Sequence, residues 1–236
     1  MPAEPSTLPA PTTRSSPPAR ADEAAGFVLR GVPWEVYVAL RETAANRRTR
    51  MTYLDGTLTL MSPQYLHERG AELLAAIVRE VADAFAIEFA STRSTTFRRP
   101  GHGPSTGTGK EPDASFYLGN HEASIRGKAT IDLANDPPPD LAIEVDNKGD
   151  SASALTTYAR LAIPEVWRYD ARDRTLWFGR LAGDSYVEAD RSLGLPVLSP
   201  GLVLEILDAF EPGMGERAWI RRVRAWACDL AARLDR

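Results

Sequence analysis

Pro137-Pro138-Pro139-Asp140-Leu141-Ala142-Ile143-Glu144-Val145-Asp146-Asn147-Lys148 is the stretch whose reading decides the fold. Three prolines end whatever precedes them, because proline has no backbone N–H and biases the residue before it toward extended geometry. Leu141 to Val145 is an apolar run of strand length, as in a sheet covered on both faces. Glu144 interrupts it with a carboxylate. A buried charge is costly unless it is paired or holds a metal, so the position favours a functional reading. Side chains alternate along a strand, so Glu144, Asp146 and Lys148 share a face if the strand continues. Two carboxylates and an ammonium there can bind a hard cation and polarise a water. If the strand stops at Val145, Asp146 to Lys148 are solvated loop instead. Taken as an unpaired buried acid, Glu144 also predicts that leucine in its place stabilises the metal-free protein.

Upstream, Glu111-Pro112-Asp113-Ala114-Ser115-Phe116-Tyr117-Leu118 reads as a second strand, with Asp113 at its start, where a carboxylate can face a cleft. Asn120 to Asp136 is an irregular connection with a short helical turn. Gly101 to Lys110 is glycine-rich but is no phosphate loop. Five residues separate Gly103 from Gly109, and glutamate rather than a hydroxyl residue follows Lys110, so a flexible loop is expected. Glu88 to Arg99 reads as one strand. Leu73, Leu74, Ile77, Val78, Val81 and Phe85 recur at helical spacing, which predicts a long helix from about Tyr65 to Ala86. Glu68 falls in its first turn, where the helix dipole favours an acid by about 0.3–1 kcal/mol. His67 beside it reads as an early-turn residue bonded to the backbone. Asp55-Gly56 predicts a hairpin over Tyr53 to Met61, and a helix is expected from Trp34 to about Ala45. Residues 1–24 are Pro-, Ser- and Ala-rich, too poor in large apolar groups to offset chain entropy, and read as a disordered tail.

Downstream, Ser151 to Ala162 predicts a helix, Pro164 to Asp170 a strand, and Thr175 to Leu181 with Ser185 to Ala189 a meander. A short apolar segment starts at Pro200-Gly201, and a C-terminal helix spans about 213–235. Its Arg221, Arg222 and Arg224 read as a solvated face. The order of elements gives an α/β fold with a mixed sheet flanked by helices.

A net charge of −4 argues against a protein that coats nucleic acid generally, while leaving room for a local basic groove. Cys228 is the single cysteine, which excludes an internal disulfide framework and suits a reducing, cytoplasmic setting. Three scattered histidines do not make a His-rich metal centre. No apolar run approaches the roughly 20 residues of a membrane helix, and no secretory leader is visible.

Glu68, Asp113 and Glu144 together suggest a hard cation such as Mg²⁺, which takes a few carboxylate oxygens and keeps waters for chemistry. The motifs Met61-Ser62-Pro63 through His67-Glu68, Glu111-Pro112-Asp113, Asp136-Pro137 through Glu144-Val145-Asp146, and Tyr158 through Ile163-Pro164-Glu165-Val166-Trp167-Arg168-Tyr169-Asp170 stand in register over roughly residues 30 to 210. In this the chain resembles the Uma-two family of restriction endonucleases, within the PD-(D/E)xK nuclease superfamily. The resemblance implies that residues 25–236 form a restriction-endonuclease-like domain, a mixed sheet flanked by helices. It also implies DNA phosphodiester hydrolysis with Mg²⁺, or Mn²⁺ in its place. By position Asp113 is the PD aspartate and Glu144 the second acid, both holding the metal, and Glu68 is similar to an added helical glutamate. The resemblance also implies a lysine two residues after Glu144, where Asp146 stands, or four before Tyr158, where Ala154 stands. Lys148 is the nearby substitute. Arg93, Arg98, Arg99 and Lys110 are candidates to hold DNA phosphates, and a homodimer is the arrangement expected for cutting two strands. The reading from a different class is a catalytically inactive nuclease fold that binds nucleic acid or a protein partner.

Overall fold

The computed structural model describes residues 27–46, 49–61, 65–93, 95–146 and 151–234. The expected tail at 1–24 and Lys148 lie outside them. In chain order the elements are β1 (Phe27–Leu29), α1 (Trp34–Glu42), β2 (Arg50–Leu54), β3 (Thr57–Met61), α2 (Tyr65–Ala84), β4 (Phe89–Ser91), β5 (Phe97–Pro100), β6 (Gly107–Lys110) and β7 (Ala114–Leu118). Then come α3 (Asn120–Ile125), β8 (Leu141–Asp146), α4 (Ser151–Arg160), β9 (Glu165–Asp170), β10 (Thr175–Ala182), β11 (Ser185–Glu188), α5 (Pro200–Asp208) and α6 (Glu216–Leu234).

The decisive stretch forms β8, inside a six-stranded sheet of order β11-β10-β9-β8-β7-β4. It runs antiparallel to β7 and parallel to β9, so the sheet is mixed. Alternation along β8 sends Leu141, Ile143 and Val145 into a core with Leu74, Ile77, Val78 and Val81 of α2, while Ala142 joins Tyr158 of α4 and Leu161 just after it on the opposite side. Glu144 has the parity of Ala142 and therefore belongs to the α4 side. On the other side α6 covers α2, burying Trp219, Val223 and Ala227.

Where one sheet was expected there are two. The second is antiparallel, five-stranded, of order β1-β3-β2-β6-β5. The hairpin of β2 and β3 turns on Asp55 and Gly56, at φ 40° and 81°, the left-handed pair of a tight hairpin turn. The single strand expected over Glu88 to Arg99 is divided between the sheets. Arg93, at φ 49°, separates β4 in the larger sheet from β5 in the smaller. The glycine-rich loop expected up to Lys110 ends instead as β6, a buried strand between β2 and β5. Its glycines serve close packing: a Cβ on Gly109 would lie 2.1 Å from the Tyr37 hydroxyl. The apolar segment from Pro200 is helix α5, capped by Ser199, whose side chain accepts from the Leu202 N–H.

Glu165, at the start of β9, is 1 % exposed and is held by neutral donors. Its carboxylate accepts from Trp167 Nε1 at 2.6 Å, Ser192 Oγ at 3.1 Å, and the Leu193 and Gly194 N–H groups at 2.9 and 3.2 Å. It thus ties the 192–194 loop to the sheet. Glu165→Ala leaves those buried donors unmatched and is expected to lower stability by about 3 kcal/mol, read by urea denaturation; an unchanged midpoint contradicts this role.

Candidate active site

The site is built where β7 and β8 run side by side. Their register pairs Ala114 with Ile143, and one further step sets Asp113 level with Glu144. The Asp113 N–H donates to the Ile143 carbonyl at 3.1 Å, and Asp113 Oδ2 accepts from the Val145 N–H at 2.8 Å. The aspartate is therefore fixed to the backbone of the strand that carries the glutamate. Burial pushes its carboxyl up to about 6, against the lowering pull of the Val145 N–H, Arg50 and Lys110.

Arg50, at the start of β2, binds both other parts of this corner. It donates from Nη2 to Glu68 Oε1 at 2.7 Å and from Nη1 to the Pro112 carbonyl at 3.0 Å, with Nη1 3.7 Å from Asp113 Oδ1. Burial works against its charge, but Asp113 and Glu68 outweigh it and hold Arg50 more firmly protonated than usual. Glu68 thus reaches Asp113 through an arginine, and its own side chain is 46 % exposed.

Glu144 is nearly buried and is paired. Lys110, the last residue of β6 and 4 % exposed, places Nζ 2.9 Å from Glu144 Oε1. The Tyr158 hydroxyl on α4 donates to the same oxygen. Lys110 Nζ also lies 5.2 Å from the centre of the Tyr158 ring, within cation–π range. Asp146 shares the parity of Glu144 and meets Arg168 Nη2 at 3.3 Å.

Of the basic residues proposed for phosphate binding, only Arg93 opens on the cleft beside Asp113, where Arg79 of α2 joins it. Both reach Glu72, at 3.8 and 2.8 Å. Arg98 pairs with Glu42 at 3.2 Å, Arg99 donates to the Arg160 carbonyl at 3.2 Å, and Lys110 is turned inward on Glu144. Arg50 and Tyr158 were not assigned roles from the sequence. The signal available for Lys110 was its place directly before Glu111-Pro112-Asp113.

Among the described residues no three His, Cys, Asp or Glu side chains gather as a metal cage. Mg²⁺ does not require one, since it is commonly held by one or two carboxylates together with waters and substrate phosphates. Asp113 and Glu144 are hard oxygen donors brought level by strand register, and in donor chemistry they fit such an ion.

Comparison with family profiles matches residues 34–211 to Uma2, described as "Putative restriction endonuclease". The chain belongs to the Uma2 family. The match runs from α1 to α5 and takes in every strand of the two sheets but β1, so the α/β architecture is a restriction-endonuclease-like fold and the family assignment supports a nuclease-like function. No curated protein matches this Uma2 chain. None of the described helices is long and apolar enough to cross a membrane.

The expectation that Glu144→Leu stabilises the metal-free protein is overturned by the Lys110 contact. Removing one partner of a buried ion pair leaves an uncompensated charge, at a cost of about 3–5 kcal/mol. Glu144→Leu is therefore expected to lower the melting temperature in EDTA, and Glu144→Leu with Lys110→Met to recover most of the loss. Calorimetry of the two variants checks this; equal destabilisation of single and double variants contradicts the pairing.

Proposed function

We propose that the protein is a Mg²⁺-dependent endonuclease hydrolysing DNA phosphodiester bonds, with Asp113 and Glu144 holding the ion and Mn²⁺ able to replace it. The observation that carries the reading is the level placement of two nearly buried carboxylates on adjacent strands, each oriented by other groups. A core strand has no packing reason to carry an acid there. When bound, the ion stabilises charge on a phosphoryl oxygen and lowers the pKa of a water.

The chain's own residues supply position and charge. The Val145 N–H and Arg50 fix the Asp113 carboxylate, and Tyr158 and Lys110 fix that of Glu144. Rotamers locked in this way keep the donors in place before substrate arrives. In the reaction the oxygen of a water forms a bond to phosphorus while the bond to the leaving sugar oxygen breaks with its electron pair. The water's proton passes to solvent, and the leaving oxygen takes one from solvent. Arg79 and Arg93, at the cleft beside Asp113, hold phosphates of the strand without reading its sequence. A cytoplasmic protein suits the lone, exposed Cys228. Cutting both strands would take two copies.

The second reading, a silent nuclease fold that binds nucleic acid or a protein partner, is favoured by Ala154 standing where the family resemblance implies a lysine.

Plasmid nicking, paired with calorimetric titration of Mg²⁺, tests the choice. Asp113→Asn and Glu144→Gln, which preserve shape, are each expected to reduce nicking about 100-fold or more and to weaken Mg²⁺ binding. Unchanged nicking in either variant sinks the assignment, and a wild type that binds DNA without nicking it supports the silent reading. Arg79→Ala and Arg93→Ala are each expected to weaken DNA binding regardless of sequence and to reduce the salt slope by about 1. A slope unchanged in both variants places the strand elsewhere.

A further inference from the structure

The geometry points to Lys110 as the catalytic cation of this site, standing in from β6 for the lysine missing at Ala154. The assignment rests on the nuclease reading above and deepens it. Lysine is almost never this buried unless paired, and here the partner is the candidate metal-binding acid itself. The strand that delivers it is fixed from both sides by β2 and β5, and glycine at 109 lets the strand lie directly under Tyr37.

Replacing a buried ion pair by apolar residues of similar volume is often neutral or stabilising, so the Lys110–Glu144 pair is a weak device for stability alone. Its placement is suited to chemistry. Lys110 Nζ touches Glu144, lies over the Tyr158 ring and acts on the charge of Asp113. An ammonium there neutralises negative charge as it builds on the phosphoryl oxygens during attack by water.

α4 explains the exchange of positions. Ala154 precedes Tyr158 by one helical turn, and residues four apart share a helix face. Tyr158 already donates to Glu144. A lysine at 154 would therefore approach the same carboxylate from the helix, and Lys110 approaches it from the smaller sheet.

The test compares wild type, Lys110→Met, and Lys110→Met with Ala154→Lys, by plasmid nicking in Mg²⁺, calorimetric Mg²⁺ titration and melting temperature in EDTA. Lys110→Met is expected to lose nicking about 100-fold or more while still binding Mg²⁺. Adding Ala154→Lys is expected to restore most of the nicking. Lys110→Met nicking like the wild type overturns the assignment. So does a double variant that regains melting temperature but not nicking, since Lys110 is then a strut for Glu144. If Lys110→Met does not fold, the double variant decides by the same criterion. A wild type that binds neither Mg²⁺ nor nicks DNA fails the nuclease reading itself and takes the assignment with it.

Discussion

The ammonium of Lys110 and the carboxylate of Glu144 meet 2.9 Å apart at the junction of two sheets, both nearly out of reach of water. Neither group could be left there alone, because desolvating an isolated charge costs several kcal/mol. The pair therefore constrains everything around it. β6 must run close enough to β8 to bring the lysine across, Gly109 must lack a side chain to let Tyr37 cover β6, and α4 must present Tyr158 to the same oxygen. The smaller sheet is in this sense a part of the site.

A second set of charges is organised by Arg50. Its guanidinium spans a helix, a loop carbonyl and the start of β7 by contacting Glu68, Pro112 and Asp113. A guanidinium, with five donors spread over a rigid plane, suits acceptors set this far apart better than the compact ammonium of a lysine. The two acids sit beside different groups: Glu144 meets the Lys110 ammonium, while Asp113, tied to the Val145 N–H, is harder to ionise because burial dominates. A positive ion arriving between them would relieve that imbalance, which is the physical content of the metal-dependent proposal.

Much of the larger sheet was legible. The three prolines, the apolar run and the embedded acid identify β8, helical spacing identifies α2, and Asp55-Gly56 identifies the hairpin. The smaller sheet was not, because β6 is four residues, two of them glycine, a composition that local propensity assigns to a loop. β4 and β5 were fused for a related reason. Both are short, the run from Glu88 to Arg99 as a whole is enriched in Thr and Phe, and the left-handed turn at Arg93 has no glycine to announce it.

The sequence by itself determined the α/β class and the motif register that the family match follows, and it singled out Asp113 and Glu144 as candidates, because apolar periodicity and residue spacing are local properties of the chain. Tertiary structure alone decided which cation faces which acid. Lys110 lies 34 positions before Glu144, and Arg50 lies 63 before Asp113; such pairs form only when strands from different parts of the chain are laid edge to edge. Electrostatic matching in a buried site depends on distance and desolvation, and neither is written in the order of residues.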